Sequence, residues 1–153
     1  MTMTSDQVSD KLQYLLGTLR DGEKGFADAA EHATDPSLKS LFQSRVAQRT
    51  EMAQAIENEL SKYGEVGKQG GSVGAALHRT WLGVRDAISG RGDKAVVAES
   101  ARGEDVAADN YQDVLKETSL PSDIRSMVEG QFAKVKASQI EMQALKAQWD
   151  AKS

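Results

Sequence analysis

The chain has only two prolines, Pro36 and Pro121. Proline lacks a backbone donor and clashes with the turn before it, so a helix can begin on one but cannot run through it. On both sides of each, apolar residues recur at steps of three, four and seven, the period of one helix face. Before Pro36 the stripe is Val8, Leu12, Leu15, Leu16, Leu19, Phe26 and Ala29/Ala30; after it come Leu38, Leu41/Phe42, Val46, Met52, Ile56, Leu60 and Tyr63. Before Pro121 it is Val96/Val97, Ala101, Ala107/Ala108, Tyr111, Val114 and Leu115; after it come Ile124, Met127/Val128, Phe132, Val135, Met142, Leu145 and Trp149. This spacing predicts long helices over residues 5–33, 36–63, 93–118 and 121–151. Ser5 or Ser9 is expected to cap the first, Asp35 the second and Asp93 the third. No stretch alternates with period two, so no sheet is expected.

The four helices form a repeat. Gly22-Glu23-Lys24-Gly25-Phe26-Ala27-Asp28 matches Gly103-Glu104-Asp105-Val106-Ala107-Ala108-Asp109 at an offset of 81 residues. Phe42 falls on Phe132, and Glu51-Met52 on Glu141-Met142, at an offset of 90. Each half is therefore a helical hairpin, 5–63 and 93–151, with a proline near its turn. Residues 64–92 are long enough to cross the bundle from end to end at about 1.5 Å per helical residue. Within them Val73, Leu77, Trp81, Val84 and Ile88 mark a short fifth helix near 72–89. The expected architecture is all-α: one domain over 5–152 behind a disordered tail at 1–4, in the ferritin-like order of four helices with one long crossover, the alternative being an up-down bundle with the Trp81 segment as an accessory fifth helix.

Composition narrows the function. A net charge of −4 argues against non-specific nucleic-acid binding. No apolar run approaches the ~20 residues of a membrane span, and Met1 to Asp10 is polar without a basic start, so no signal peptide is expected. With no cysteine, disulfides, thiolate metal sites and thiol catalysis are excluded.

Four segments carry a resemblance: Asp21-Gly22-Glu23-Lys24-Gly25-Phe26, Asp35-Pro36-Ser37-Leu38-Lys39, Gly74-Ala75-Ala76-Leu77-His78-Arg79-Thr80-Trp81 and Arg102-Gly103-Glu104-Asp105. Together they resemble a bacterial family of four-helix-bundle proteins of unknown function, grouped with the ferritin-like superfamily, over about Val8 to Ala147. The resemblance implies a ferritin-like fold and a bacterial, cytoplasmic protein, and it implies no known activity.

Glu23 and Glu104 fall on the buried stripes of the first and third helices, at equivalent places in the repeat. A carboxylate in a core is costly unless a cation or a metal pairs with it. Ferritin-like dimetal sites take one Glu from each of two helices and Glu-x-x-His from each of the other two. Neither the second nor the fourth helix contains Glu-x-x-His. A site of Glu23, Glu51, Glu104 and Glu141 is conceivable, and its hard oxygen ligands would favour manganese, magnesium or iron(II) over copper. The expected alternative is a polar core layer of Glu23, Glu104, Arg49 and Gln139, with Arg45 beside it and guanidinium in place of metal. The expected protein has no cofactor, is not an enzyme, and acts by self-association as a homodimer or by binding a protein partner, with a stress role by analogy. Leu77, His78, Arg79, Trp81 and Arg85 are the expected interface, because Trp and Arg favour interface centres. A metal-binding ferritin-like protein, with iron or manganese, is the alternative.

Overall fold

A computed structural model describes residues 3–63 and 92–152. Among these the chain forms four helices and no strand: α1 (Ser5–His32), α2 (Pro36–Ser61), α3 (Asp93–Leu115) and α4 (Ser122–Ala151). Helix ends leave backbone groups without intrahelical partners, and at α1 and α2 a nearby side chain satisfies some of them. Thr4, rather than Ser5 or Ser9, caps α1. Its hydroxyl accepts from the Gln7 N–H at 3.1 Å while its own N–H donates to Gln7 Oε1 at 2.8 Å. The Gln three residues after the cap is the sequence signal that favours Thr4. Asp35 caps α2 by accepting from the Ser37 and Leu38 amides, with Pro36 at the first helical position. Lys39 Nζ donates to the Ala30 carbonyl at 2.8 Å near the end of α1.

Asp93 does not cap its own helix. Gly92, at φ 81°, holds that position without a side-chain bond. Asp93 instead turns its carboxylate to the α1–α2 turn. It accepts from the Thr34 N–H at 2.7 Å, the Thr34 hydroxyl at 2.9 Å and the Asp35 N–H at 2.9 Å.

These contacts fix the helix order. Tyr14 bonds Asn110 near one end of α1, and Thr34 bonds Asp93 just beyond the other, so α1 and α3 are antiparallel. Arg45 meets Ser138, and the Met52 carbonyl meets Gln131, so α2 and α4 are antiparallel as well. With each hairpin antiparallel within itself, α2 and α3 run the same way. They reach each other across the bundle through Arg49 and Glu104. The end of α2 and the start of α3 therefore lie at opposite ends of the bundle, separated by about 39 Å at 1.5 Å per residue of α2. The fifth helix expected near 72–89 lies outside the described residues.

The core is in two parts. One gathers Leu12, Leu15, Leu16, Leu19, Met52, Ile56, Tyr111, Val114 and Val128, with Phe132 packed against it. The other gathers Phe26, Ala30, Ala33, Leu38, Phe42, Val96, Val97, Ala101 and Met142. Burying each large apolar side chain contributes about 1.5–3 kcal/mol. The repeat offsets carry each cluster onto the other. At 81 residues Leu15 falls on Val96, Leu16 on Val97, Ala30 on Tyr111 and Ala33 on Val114. At 90, Leu38 falls on Val128, Phe42 on Phe132 and Met52 on Met142. A twofold axis across the bundle, through the level between the clusters, exchanges its ends in this way. The sequence repeat is thus a structural one.

Candidate functional site

The level between the two clusters is polar. Arg49 from α2 and Glu104 from α3 lie there with 1% of each side chain exposed. Arg49 Nη1 donates to Glu104 Oε1 at 2.8 Å and Nη2 to Oε2 at 2.5 Å, a two-pronged pair that only a planar guanidinium can make. The guanidinium carbon also sits 5.5 Å from the centre of the Phe26 ring, which stacks on Phe42. Gly22 of α1 lies against the same arginine. A Cβ there would stand 3.6 Å from Nη1 and 3.7 Å from Cγ, an ordinary contact distance.

One turn earlier in α2, Arg45 reaches the solvent edge of this level. Its Nε donates to Ser138 Oγ at 2.8 Å, and its guanidinium pairs with Glu141. Burial lowers the Arg45 pKa and the Arg49 charge lowers it further, against the attraction of Glu104. Ser138, not Gln139, is the buried residue that α4 contributes here.

The other expected members stand elsewhere. Glu23 lies at the α1–α2 edge with 20% of its side chain exposed, bonded to Arg20 at 2.7 Å and to the Thr50 hydroxyl. Arg20 bonds Glu57 in turn at 2.7 Å. Gln139 donates to Asp105 at 2.9 Å on the α3–α4 face, leaving its buried Oε1 without a partner. Gln143 donates to the same carboxylate. Glu51 is exposed. Glu23, Glu51, Glu104 and Glu141 thus have separate surroundings. Among the described residues no three of His, Asp or Glu come together to hold a metal ion. Leu77, His78, Arg79, Trp81 and Arg85 lie outside the described residues.

Two further polar groups in the core were not singled out by sequence reasoning. Tyr111 donates to Gln131 Oε1 at 2.7 Å, and Gln131 Nε2 donates to the Met52 carbonyl at 3.1 Å, which ties α2, α3 and α4 together. Burial pushes the Tyr111 phenol well above its ordinary value, with Arg49 opposing and Glu104 adding. The signal for Gln131 was present: it stands three after Val128 and four before Val135, on the apolar stripe of α4. At the α1–α3 face Tyr14 donates to Asn110, which donates to Thr18.

Chemically the central level is closed. Both oxygens of Glu104 accept from Arg49, so the carboxylate is oriented and its charge is matched by the guanidinium. No curated protein matches the chain. A family model does, over residues 7–117, which takes in α1, α2 and α3 and hence both Arg49 and Glu104. With most of its length matched, the chain belongs to the family described as a domain of unknown function, DUF2383.

Proposed function

We propose that this protein is a non-enzymatic, ferritin-like helical bundle that works by associating with a second copy or with a protein partner. In it an arginine–glutamate pair holds the centre where a ferritin-like metal site would be. The observation that carries this reading is the two-pronged Arg49–Glu104 pair, buried at the level that relates the two hairpins. A fixed guanidinium charge supplies what a buried carboxylate needs. It also opposes a cation at the same place. The other carboxylates of a four-Glu site are engaged by Arg20, Thr50 and Arg45 or stand in solvent. Support for the ferritin-like assignment is the helix order, with α2 and α3 parallel, so that the end of α2 and the start of α3 lie at opposite ends of the bundle. A bacterial origin, a cytoplasmic setting and a stress role rest on the family resemblance alone. None of the described helices is long and apolar enough to cross a membrane.

Metal content tests this reading. Protein purified without chelators should carry iron and manganese far below one ion per chain, and added iron(II) or manganese(II) should leave its melting temperature unchanged. One or more tightly held ions per chain, lost on Glu104→Gln, would overturn it in favour of a metal-binding protein.

A further inference from the structure

Resting on the reading of this protein as one that self-associates, we propose that its partner is a second copy and that the contact is the outer face of α4, the two α4 helices lying side by side, parallel and in register.

Spacing sets this face. α4 turns Ile124, Val128, Val135 and Met142 into the bundle. On its other side Gly130, Ala133, Ala137, Ile140, Ala144 and Ala147 follow one another at alternating steps of three and four, and all of them are exposed. That is the heptad spacing with which one helix meets another along its length. Ile140 stands near the middle, 63% exposed, the one large apolar residue left in solvent among the described residues.

The repeat supplies a control. At the offset of 90 residues the same six positions of α2 read Ser40, Gln43, Ala47, Thr50, Gln54 and Glu57. All but Ala47 are polar, so an outward face in this bundle needs no apolar stripe, and of the two related helices only α4 carries one. Gly130 points the same way. Glycine weakens a helix relative to alanine, and a Cβ at Gly130 would meet nothing within 4 Å. The described part of the chain therefore gives no reason for a glycine there, whereas a second helix backbone approaching closely does.

Charge names the occupant. The residues flanking such a stripe decide which helix it accepts and in which direction. In a parallel, in-register pair, a flanking residue on one side meets the residue five further on in the second copy. Glu129 then faces Lys134, and Lys136 faces Glu141, each twice by the twofold symmetry. Antiparallel registers centred within the stripe instead oppose like charges: Glu129 with Asp150, Glu141 with its own counterpart, or Lys134 and Lys136 with theirs. Among the described residues Lys134 and Lys136 have no ion-pair partner. Glu129 and Glu141 meet Arg125 and Arg45 of their own chain, yet keep 58% and 47% of their side chains exposed and so open to a second cation. A single helix face buries little area, so this dimer is weak and sensitive to salt.

The test is the oligomeric state of the full chain, by sedimentation over a wide range of concentration at low salt. Wild type should dimerise reversibly. Ile140→Glu should weaken the dimer by about tenfold or more and leave the melting temperature of the monomer unchanged. Glu129→Lys and Lys134→Glu each set like charges against one another and should weaken it as well. Mixed in equal amounts, these two variants should form a heterodimer about as tight as wild type, because every facing pair is then again of opposite charge. A mixture without that gain overturns the parallel register. A wild-type dimer untouched by Ile140→Glu overturns the α4 face, and leaves self-association standing through another surface. A wild type that stays monomeric at every concentration overturns the second copy as occupant, and leaves the proposed function only its other protein partner. Bound metal, which would overturn that reading itself, is seen separately in the metal assay.

Discussion

The two hairpins carry the same glutamate at the same place in the repeat and treat it in opposite ways. Glu104 is buried against Arg49, whereas Glu23 stays at the edge with Arg20 and Thr50. The difference lies in what the neighbouring helices supply. At the repeat-related positions, α2 has Arg49 and α4 has Gln139. The described core therefore holds one guanidinium at this level, and one guanidinium can neutralise one carboxylate. The second carboxylate reaches water, where an exposed pair contributes little but costs little. An internal repeat can thus keep its backbone symmetry while its electrostatics become asymmetric.

The sharpest way to break this comparison is to neutralise each glutamate in turn. Glu104→Gln strands Arg49 in the core and should cost about 3–5 kcal/mol in urea denaturation. Glu23→Gln should cost below about 1 kcal/mol, since its partners remain near solvent. Equal losses would mean that the two sites are energetically alike despite their different burial. Replacing both members, as Arg49→Met with Glu104→Leu, should recover the loss and leave the protein as stable as wild type or up to about 4 kcal/mol more stable. A double variant no better than Glu104→Gln would show that the pair itself, and not the stranded charge, supports the fold.

Asp93 sharpens the comparison from the other hairpin, because its carboxylate is also committed to a partner across the seam. Burial alone would raise its pKa, but the bonds from Thr34 and Asp35 and the charge of Lys39 together hold it below the ordinary 3.8. A carboxyl with a depressed folded-state pKa stabilises fully above its ordinary value and loses that contribution as pH falls through the lowered one. Asp93→Asn should therefore cost about 1.5–3 kcal/mol at neutral pH. It should also flatten the fall of stability below pH 3.8. An unchanged acid limb would remove Asp93 as its cause. The smallest effect is expected at Gly22. Alanine there meets Arg49 at ordinary contact distance and improves helix propensity, so Gly22→Ala should be neutral or stabilising by up to about 1 kcal/mol. A clear loss of stability would show that Arg49 has no room to yield.

The fold was legible because helix periodicity and the two prolines act locally, and because the repeat doubles every signal. The described helices begin and end within a few residues of the expected ranges. What sequence could not separate was Glu23 from Glu104. Both fall on an apolar stripe, and helical spacing cannot say which of them the one arginine will reach across the bundle. Arg49 itself was legible from the cost of an unpaired buried carboxylate. Gln139 was misplaced by one position in α4, where the adjacent Ser138 turns inward. Asp93 was read as a cap for its own helix because capping is a local habit of aspartate. Its partners at Thr34 and Asp35 are distant in the chain and carry no local mark.

The Arg49–Glu104 pair also has a consequence for the time course of folding. Its members stand 55 residues apart, while each hairpin closes through a short turn. Local contacts form before those that require a long loop to close. The hairpins should therefore collapse first, with the salt bridge locking only as they dock. Interactions formed after the rate-limiting barrier slow escape from the native state rather than hasten arrival. In stopped-flow chevrons, Glu104→Gln should accelerate unfolding and leave the refolding rate almost unchanged. A slowed refolding limb would place the pair in the nucleus instead. With refolding unchanged, the Arg49–Glu104 pair acts as a lock on the finished bundle, setting how long the molecule survives once assembled.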